Sequence, residues 1–287
     1  MTFAAGAVDR PTLPRSSNKP VQATALLAAG WAPRSARELA IGAGSHNGED
    51  GHREVAAAML AAVGLGPDDL GCPPALPQHI GTESEWIVAR RAPERLAMNC
   101  SGKHAAMLSA CVAAGWPTSG YLDRDHPLQQ AIEARLAEAA GEPVTAVVVD
   151  GCGAPQHALS VTGLARGVLS LVQAPEGSRN RAVADAMRAE PWFVAGTGRE
   201  DTDLMRAVPG LLVKGGADGV HVAALPDRGA VALKLDDGGD RGRTPSLSAG
   251  LLRLGVPADV LAPWLQTPVS GGSGVVGEVR AAPFLSG

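Results

Sequence analysis

A serine and a lysine stand at the start of an apolar helix in residues 15–24, the segment around which the chain is organised. Ser16 and Lys19 are three residues apart in the sequence RSSNKPVQAT. On a helix this spacing puts the hydroxyl and the amine on one face. A lysine made neutral by burial or by a neighbouring cation can take the hydroxyl proton, which makes the serine a nucleophile. The same residues also fit an ordinary helix start, with Ser16 as N-cap and Pro20 in the first turn.

The chain uses lysine sparingly, which draws attention to the positions where it occurs. Of the 25 basic residues, four are lysines, at positions 19, 103, 214 and 234, and the other 21 are arginines. Arginine supplies a permanent positive charge, whereas lysine can lose its proton. We therefore expect the lysines to be enriched in sites that need a neutral amine or its particular shape.

Composition excludes several classes of protein. The 287 residues are 45% hydrophobic and can bury a large core, as one α/β domain or as two lobes. The net charge is −4 and the arginines are scattered along the sequence, so no basic patch for a polyanion is indicated. We therefore expect no nucleic-acid partner. There is no apolar run long enough for a membrane span and no signal-peptide pattern. Cysteines at four irregularly spaced positions do not suggest a disulfide framework, and we expect a cytoplasmic location.

Local patterning predicts an α/β (α+β) fold. The predicted helices cover residues 16–29, 51–63, 103–114, 127–140, 178–189, 201–207 and 245–254. The predicted strands cover residues 2–8, 144–149, 211–214, 219–225, 230–235 and 274–280. Because of its β-branched content, the strand at 144–149 is expected to be buried. Hairpin-linked strands with helices clustered in the middle indicate an antiparallel or mixed sheet and a helical lobe at roughly 50–140.

Three separated pieces occur in the order of the serine β-lactamase and penicillin-binding-protein pattern, which is SxxK, Ser-x-Asn and Lys-Thr-Gly. They are Ser16 with Lys19, the sequence SHN at 45–47, and the sequence KGG at 214–216. The threonine of the third piece is replaced by Gly215, and the first two pieces are close together in the chain. A penicillin-interactive serine hydrolase is therefore an alternative and not the first choice.

Longer sequences carry a more specific resemblance. RSSNKPVQA, SHNGEDGH, NCSGKHAAML, VDGCGAP and VAGTGREDTDLMRAVPGLLVKGGADG together resemble the rhizobial-type L-asparaginases, the class 3, thermolabile asparaginase II family. The resemblance runs from about Asp9 to the C-terminus. It implies a serine β-lactamase/glutaminase-like fold, with a mainly antiparallel central sheet flanked by helices and one catalytic unit over residues 1–287. The implied activity is hydrolysis of L-asparagine to L-aspartate and ammonia.

The resemblance also assigns roles to single positions. Ser16 matches the family's nucleophile and Lys19 its partner base, while Ser45 and Lys214 match a second serine–lysine pair in the same pocket. Amide hydrolysis needs such an activated oxygen, a proton donor for the leaving ammonia and N–H groups that hold the oxyanion. An arginine could pair with a substrate carboxylate through two hydrogen bonds. The positions that match the substrate side are Arg15, His104 and Asp150.

A zinc site is also implied by the resemblance. Cys100, Lys103 and Cys152 match the family's zinc ligands, and the metal would help to position the substrate. Two thiolates and a neutral amine with one open position suit zinc. Judged from the residues alone, the two cysteines could equally be small packing residues of the core.

The family precedent further implies a homodimer. Relatives carry additional residues before the SxxK sequence, so the resemblance implies that the early strands of the family's sheet are missing from this chain. This leaves open an alternative of a different class, a catalytically silent amino-acid-binding protein of the same fold. The preference for asparagine over glutamine is not set by the sequence.

Overall fold

The computed structural model describes residues 2–283 and has a mixed α/β architecture. The helices are α1 (Lys19–Ala28), α2 (Ala36–Gly42), α3 (Asp50–Ala61), α4 (Ile80–Val88), α5 (Ser101–Ala114), α6 (Pro127–Ala140), α7 (Val161–Val172), α8 (Arg179–Ala189), α9 (Pro191–Val194), α10 (Glu200–Ala207), α11 (Arg243–Arg253) and α12 (Ala258–Leu261). The strands are β1 (Pro11–Thr12), β2 (Val147–Val149), β3 (Pro155–His157), β4 (Leu159–Ser160), β5 (Leu212–Gly215), β6 (Val220–Leu225), β7 (Gly229–Lys234), β8 (Gln266–Gly271) and β9 (Gly274–Arg280).

Helix α1 lies in the interior of the fold. Every residue from Lys19 to Leu26 is buried, because α5, α6, α7 and α8 all pack against this helix. Most residues of α1 are small or apolar, and its buried polar side chains, Lys19, Gln22 and Thr24, all make hydrogen bonds. The predicted helix at 16–29 is confirmed, except that its first turn, Arg15–Asn18, is a 3₁₀ helix. The lysine of the SxxK sequence is thereby carried into the core.

The largest sheet is antiparallel and has three strands in the order β5-β6-β7. Helices α7 and α11 both pack against it. Its register pairs Lys214 with Val222 and Gly215 with His221. The end of β5 lies against the 3₁₀ turn, where a Cβ on Gly216 would be 2.6 Å from the carbonyl oxygen of Pro14. Glycine is therefore required at this position, and the KGG sequence brings the strand end beside the SxxK sequence.

Two strand predictions from the sequence are wrong. Residues 2–8 form no strand, and the first strand is the short β1, which pairs with β4. The strand predicted at 144–149 is confined to β2, and it is not buried, because Val149 is 77% exposed. β2 forms a two-stranded antiparallel hairpin with β3. A high content of valine favours extended backbone, but it does not tell whether another layer covers the strand.

Several elements carry too weak a local signal to be predicted. Helices α2, α4 and α7, together with strand β8, were not expected from the sequence. α7 contains two glycines and three valines, which lower helix propensity, and it is stabilised instead by an N-cap at Ser160 and by packing on the sheet. Residues 50–140 hold α3, α4, α5 and α6, and their assignment as a separate lobe stays a prediction.

The helices are short. The longest, α5 and α6, have 14 residues each. In residues 2–283 no helix has the length and apolar character needed to cross a lipid bilayer.

Candidate functional site

The amine of Lys19 is the centre of a buried polar cluster. Its Nζ lies 2.7 Å from Ser45 Oγ, 2.8 Å from the Gly44 carbonyl oxygen and 3.0 Å from Cys100 Sγ. Lys19 is 2% exposed and Ser45 is 5% exposed. As an ammonium, Nζ would donate to all three atoms, whereas the neutral amine has a lone pair that can accept the Ser45 hydroxyl proton. Lys19 of the SxxK sequence and Ser45 of the SHN sequence are therefore in direct contact.

Backbone hydrogen bonds on both sides fix the position of Ser45. Its N–H donates to the carbonyl of Val194 at 2.7 Å, and the N–H of the next residue, His46, donates to the carbonyl of Asn99 at 3.0 Å. A Cβ on Gly44 would lie 2.7 Å from the Val194 carbonyl oxygen, so the chains can approach this closely only at a glycine. The serine hydroxyl is therefore held rigidly toward Lys19.

Ser16 lies one helical turn before Lys19 and has a different environment. Its side chain is partly exposed, and in residues 2–283 its Oγ has no hydrogen-bond partner. The preceding residue, Arg15, has a φ of 52°, which is uncommon for a residue other than glycine. Lys19 therefore contacts Ser45, and the pairing of Ser16 with Lys19 expected from their helical spacing is not a direct hydrogen bond.

Lys214 is fully buried at the end of β5 and forms an ion pair. Its Nζ lies 3.2 Å from Asp201 Oδ2 and donates to the Gly215 carbonyl at 2.7 Å. Burial lowers the pKa of Lys214 to about 8, although Asp201 opposes this shift. The positive charges of Lys19 and Arg199 lower the pKa further. A lysine with a pKa near neutrality can exchange a proton at physiological pH.

Asp201 organises this part of the cluster. Its carboxylate also accepts hydrogen bonds from the N–H of Gly215 at 2.8 Å and from His221 Nε2 at 2.7 Å. Burial by itself would raise the pKa of Asp201, but Lys214 and His221 hold it well below its usual value. Asp201 was not predicted from the sequence, and His221 was given no role. A buried lysine requires a compensating carboxylate, and that requirement was the available signal.

Arg15 and Asp150, two of the predicted substrate-side residues, bind each other. Arg15 Nε donates to Asp150 Oδ1 at 2.9 Å, and its Nη2 lies 2.8 Å from the same oxygen. The remaining nitrogen, Nη1, pairs with Asp218. Burial lowers the pKa of Arg15, but the two carboxylates outweigh burial and raise it. Each nitrogen of this guanidinium therefore already has an anionic partner from the chain itself.

The predicted metal ligands converge beside the Lys19 cluster. Lys103 Nζ lies 3.2 Å from Cys152 Sγ, and both residues are buried, as is Cys100. Hydrogen bonding between the two sulfur atoms raises the pKa of Cys100 well above its usual value and lowers that of Cys152. Burial opposes the ammonium form of Lys103, but the two sulfurs raise its pKa. These contacts place the amine of Lys103 directly against the sulfur of Cys152.

His104 is buried next to the same sulfur atoms. Its Nδ1 lies 2.6 Å from Tyr121 Oη, which itself accepts a hydrogen bond from the N–H of Gly71. Nε2 has no hydrogen-bonding oxygen or nitrogen in residues 2–283. Burial lowers the pKa of His104 to about 4, although hydrogen bonding to the Cys152 side chain acts to raise it, so the ring is neutral near pH 7.

A cavity of about 790 Å³ is lined in part by sequence neighbours of the polar cluster. Its wall includes Asn47, which follows Ser45 by two residues, and Glu200, which immediately precedes Asp201. Arg199 and Arg243 line it as well. The side chains of Ser16, Lys19, Ser45 and Lys214 do not line the cavity itself. Two chain segments, residues 45–47 and 199–201, therefore contribute both to the cavity wall and to the polar cluster.

Comparison with known families identifies the chain. A family model described as L-asparaginase II matches residues 1–281. The chain belongs to the L-asparaginase II family. The resemblance carried by the five sequences is therefore confirmed. No curated protein sequence matches the chain. Membership of the L-asparaginase II family implies asparaginase-type hydrolysis and a small-molecule substrate.

The residues implied to bind zinc in this L-asparaginase II family member have donors that fit the metal. Within residues 2–283, no group of three or more His, Cys, Asp or Glu side chains is arranged to hold a metal ion. A site would therefore need the amine of Lys103 beside the sulfurs of Cys100 and Cys152. These three side chains are buried and in mutual contact through Cys152, and two thiolates with one nitrogen suit zinc. Zinc binding stays a prediction.

Arg243 is a further residue of the site that sequence reasoning missed. Its Nη1 donates to the carbonyl of Gly216 at 2.8 Å, and its Nη2 pairs with Glu200. The side chain is nearly buried, and its Nε has no hydrogen-bond partner in the described residues. Arg243 thereby links the end of β5 to the start of α10. The long sequence separation of these contacts explains why no local motif indicated them.

Proposed function

We propose that this protein hydrolyses the side-chain amide of L-asparagine to L-aspartate and ammonia through a serine nucleophile activated by lysine. One observation carries the proposal: the buried Nζ of Lys19 lies 2.7 Å from a serine hydroxyl, that of Ser45, and one helical turn from a second serine, Ser16. A lysine in a dry environment beside a hydroxyl is the arrangement that serine–lysine nucleophile activation requires.

Ser16 is the proposed nucleophile. It is the more accessible of the two serines, and its hydroxyl is not engaged with another described residue. The left-handed backbone at Arg15 turns the chain sharply just before it, and strained residues of this kind cluster at functional sites. Ser45, by contrast, is buried and bonded to Lys19, which suits a residue that relays a proton.

The reaction proceeds in two halves. Ser16 Oγ attacks the amide carbon, and its proton passes by way of the Ser45 hydroxyl to the amine of Lys19. The tetrahedral intermediate collapses when the C–N bond breaks and the ammonium of Lys19 returns the proton to the leaving ammonia. This leaves an aspartyl ester on Ser16. A water molecule then attacks the ester, giving up a proton to the same relay, and aspartate leaves with the serine restored.

Lys214 supports both halves as a second titratable amine. Its pKa of about 8 allows it to carry a positive charge near the reacting atoms at neutral pH and to lose a proton when required. Asp201 positions this amine and does not contact the substrate.

Zinc, if bound, would be held by Cys100, Lys103 and Cys152 and would supply a Lewis acid for substrate positioning. His104 and the Arg15–Asp150 pair would then complete the substrate side of the site. Arg15 would hold the turn before Ser16, because its nitrogens are already paired. Both thiols would bind as thiolates, and the Lys103 amine would have to be neutral. The described contacts between Lys103 and Cys152 support this grouping.

The family also supports structural proposals. We propose a serine β-lactamase/glutaminase-like fold, for which the antiparallel sheet β5-β6-β7 covered by α7 and α11 is the supporting feature. A single catalytic unit and a homodimer follow from the same family precedent, whereas a helical lobe over roughly 50–140 and a cytoplasmic location are proposed from the sequence pattern and composition. Analytical ultracentrifugation of the purified protein tests the dimer, which a monomer at micromolar concentration would contradict.

Ammonia release from L-asparagine tests the proposed function. We expect Ser16→Ala to lose on the order of a thousandfold or more in kcat/KM. Ser119→Ala, which changes an exposed serine without hydrogen bonds in the described residues, is the control and should keep the wild-type rate. An unchanged rate in Ser16→Ala would rule out the nucleophile. Wild-type binding of aspartate without any turnover would instead support a silent binding protein, and covalent labelling by a fluorescent penicillin would support the penicillin-interactive alternative.

A further inference from the structure

Arg199 has an unsatisfied guanidinium at the wall of the cavity. Its Nη1 donates to Asn47 Oδ1 at 3.0 Å, while its Nε is 4.0 Å from Glu200 Oε2, beyond hydrogen-bond distance. Its Nη2 makes no hydrogen bond to any residue in 2–283. The side chain is 29% exposed, so it is reachable from the cavity that it lines.

The nearby arginines differ from Arg199 in this respect. Arg15 uses its three nitrogens on Asp150 and Asp218. Arg243 is paired with Glu200 and with the carbonyl of Gly216. Glu200 pairs closely with Arg243, and its other oxygen lies 4.0 Å from Arg199 Nε, at the outer limit of an ion pair. Arg199 therefore has donors left for an external anion.

The loop that carries Arg199 is rigidly built. Asn47 Nδ2 donates to the carbonyl of Thr197 at 3.0 Å, and the N–H of Thr197 donates to Glu49 Oε2 at 3.0 Å. A Cβ on Gly196, whose φ is 110°, would lie 2.8 Å from Asn47, so the two segments fit closely. Asn47 thus fixes Arg199 relative to Ser45, which lies two residues away in the chain.

We propose that Arg199 binds the α-carboxylate of L-asparagine, so that the guanidinium sets the position and charge specificity of the substrate. The inference rests on the proposed asparaginase activity. A guanidinium with free donors binds a carboxylate through two charge-assisted hydrogen bonds. Arg199 lines the cavity, and its hydrogen bond to Asn47, two residues from Ser45, ties the guanidinium to the segment that carries Ser45. Arg15, whose nitrogens are all paired, then organises the turn before Ser16 and does not bind the carboxylate.

The test compares two substrates in the variants Arg199→Gln and Arg199→Lys. L-asparagine carries the α-carboxylate, whereas 3-aminopropanamide has the same amide and amine without it. We expect Arg199→Gln to raise KM for asparagine roughly 10- to 100-fold and Arg199→Lys to raise it less. The kcat/KM for 3-aminopropanamide should fall by less than about threefold in both variants. Loss of the Arg199 charge also changes the pKa of Lys214. The rate with 3-aminopropanamide, which lacks the carboxylate, measures that effect separately.

Arg241→Gln is the matched control because it removes the same charge from an exposed residue of the same cavity. It should change the KM for asparagine by less than about threefold. An equal loss for both substrates in Arg199→Gln, or an unchanged KM for asparagine, would overturn the inference.

If the proposed function is wrong, the wild-type protein releases no ammonia from asparagine. In that case calorimetric binding of L-aspartate decides the role of Arg199. Loss of binding in Arg199→Gln with retained binding in Arg241→Gln supports a carboxylate site, and equal binding in both variants rejects it.

Discussion

Lys214 and Asp201 form a buried ion pair, with Nζ 3.2 Å from Oδ2 and neither side chain more than 2% exposed. Removing one partner of such a pair leaves a charge without compensation, which costs about 3–5 kcal/mol. We expect Asp201→Asn to destabilise the protein by an amount in this range. Urea denaturation measures it, with Asp203→Asn on the same helix as control. A loss below about 1 kcal/mol would contradict the structural role of the pair.

The same variant should change the pH dependence of activity. Asp201 raises the pKa of Lys214 against the lowering effect of burial, so its removal lowers the pKa below about 8. The limb of the kcat/KM profile near pH 8 should therefore move to lower pH in Asp201→Asn. If the change in kcat/KM stays near pH 8 in Asp201→Asn, Lys214 does not control it.

His157 makes folding sensitive to acid. It is 1% exposed, neither ring nitrogen has a hydrogen-bond partner among the described residues, and burial, aided by the charges of Arg124 and Lys103, lowers its pKa to about 4. The unfolded chain then binds more protons between pH 4 and about 6.5, so stability is lost as pH falls through this window. The expected slope from this residue is up to about 1.4 kcal/mol per pH unit.

The variant His157→Phe tests this expectation because it removes the titrating group. Urea denaturation at several pH values between 4 and 7 should give a shallower loss of stability in the variant than in the wild type. The difference between the free energies of unfolding of the two proteins at pH 7.5 gives the effect of the substitution on packing. Parallel curves for the two proteins would contradict the assignment.

Zinc content tests the grouping of Cys100, Lys103 and Cys152. We expect protein purified without chelator to contain about one zinc per chain and Cys152→Ser to lose most of it, since a thiolate ligand is removed. Cys111→Ala changes a buried cysteine of the core and is the control. Elemental analysis gives the readout. A metal content near zero in the wild type, together with full activity, would remove the zinc proposal.

Gly102 allows α5 to pack closely against α2. This packing brings the start of α5, with Cys100 and Lys103, into the site. A Cβ at this position would lie 2.6 Å from Ile41 Cγ1 and 2.8 Å from its carbonyl oxygen. We expect Gly102→Ala to destabilise the protein by about 1–3 kcal/mol through overpacking. Gly66→Ala places its methyl group in open space and should change stability far less. Similar melting temperatures for the two variants would contradict the close approach.

Local sequence patterns predicted much of the secondary structure and some of the site. α6 was predicted with its exact bounds because Pro127 and Gly141 mark its two ends. The register of β5 against β6 and the carboxylate of Asp201 were not predicted, because they depend on contacts between distant segments. The contact of Lys19 with Ser45 arises in the same way, since the helical spacing of Ser16 and Lys19 says nothing about a serine from another loop.

The most direct measurement is rapid-quench mass spectrometry of the protein mixed with L-asparagine, followed by peptide mapping. A serine nucleophile at position 16 requires a transient aspartyl ester on the peptide containing Ser16, which is lost in Ser16→Ala and retained in Ser119→Ala. An ester on Ser45, or ammonia release at the wild-type rate with no ester on any serine, would contradict the proposed mechanism.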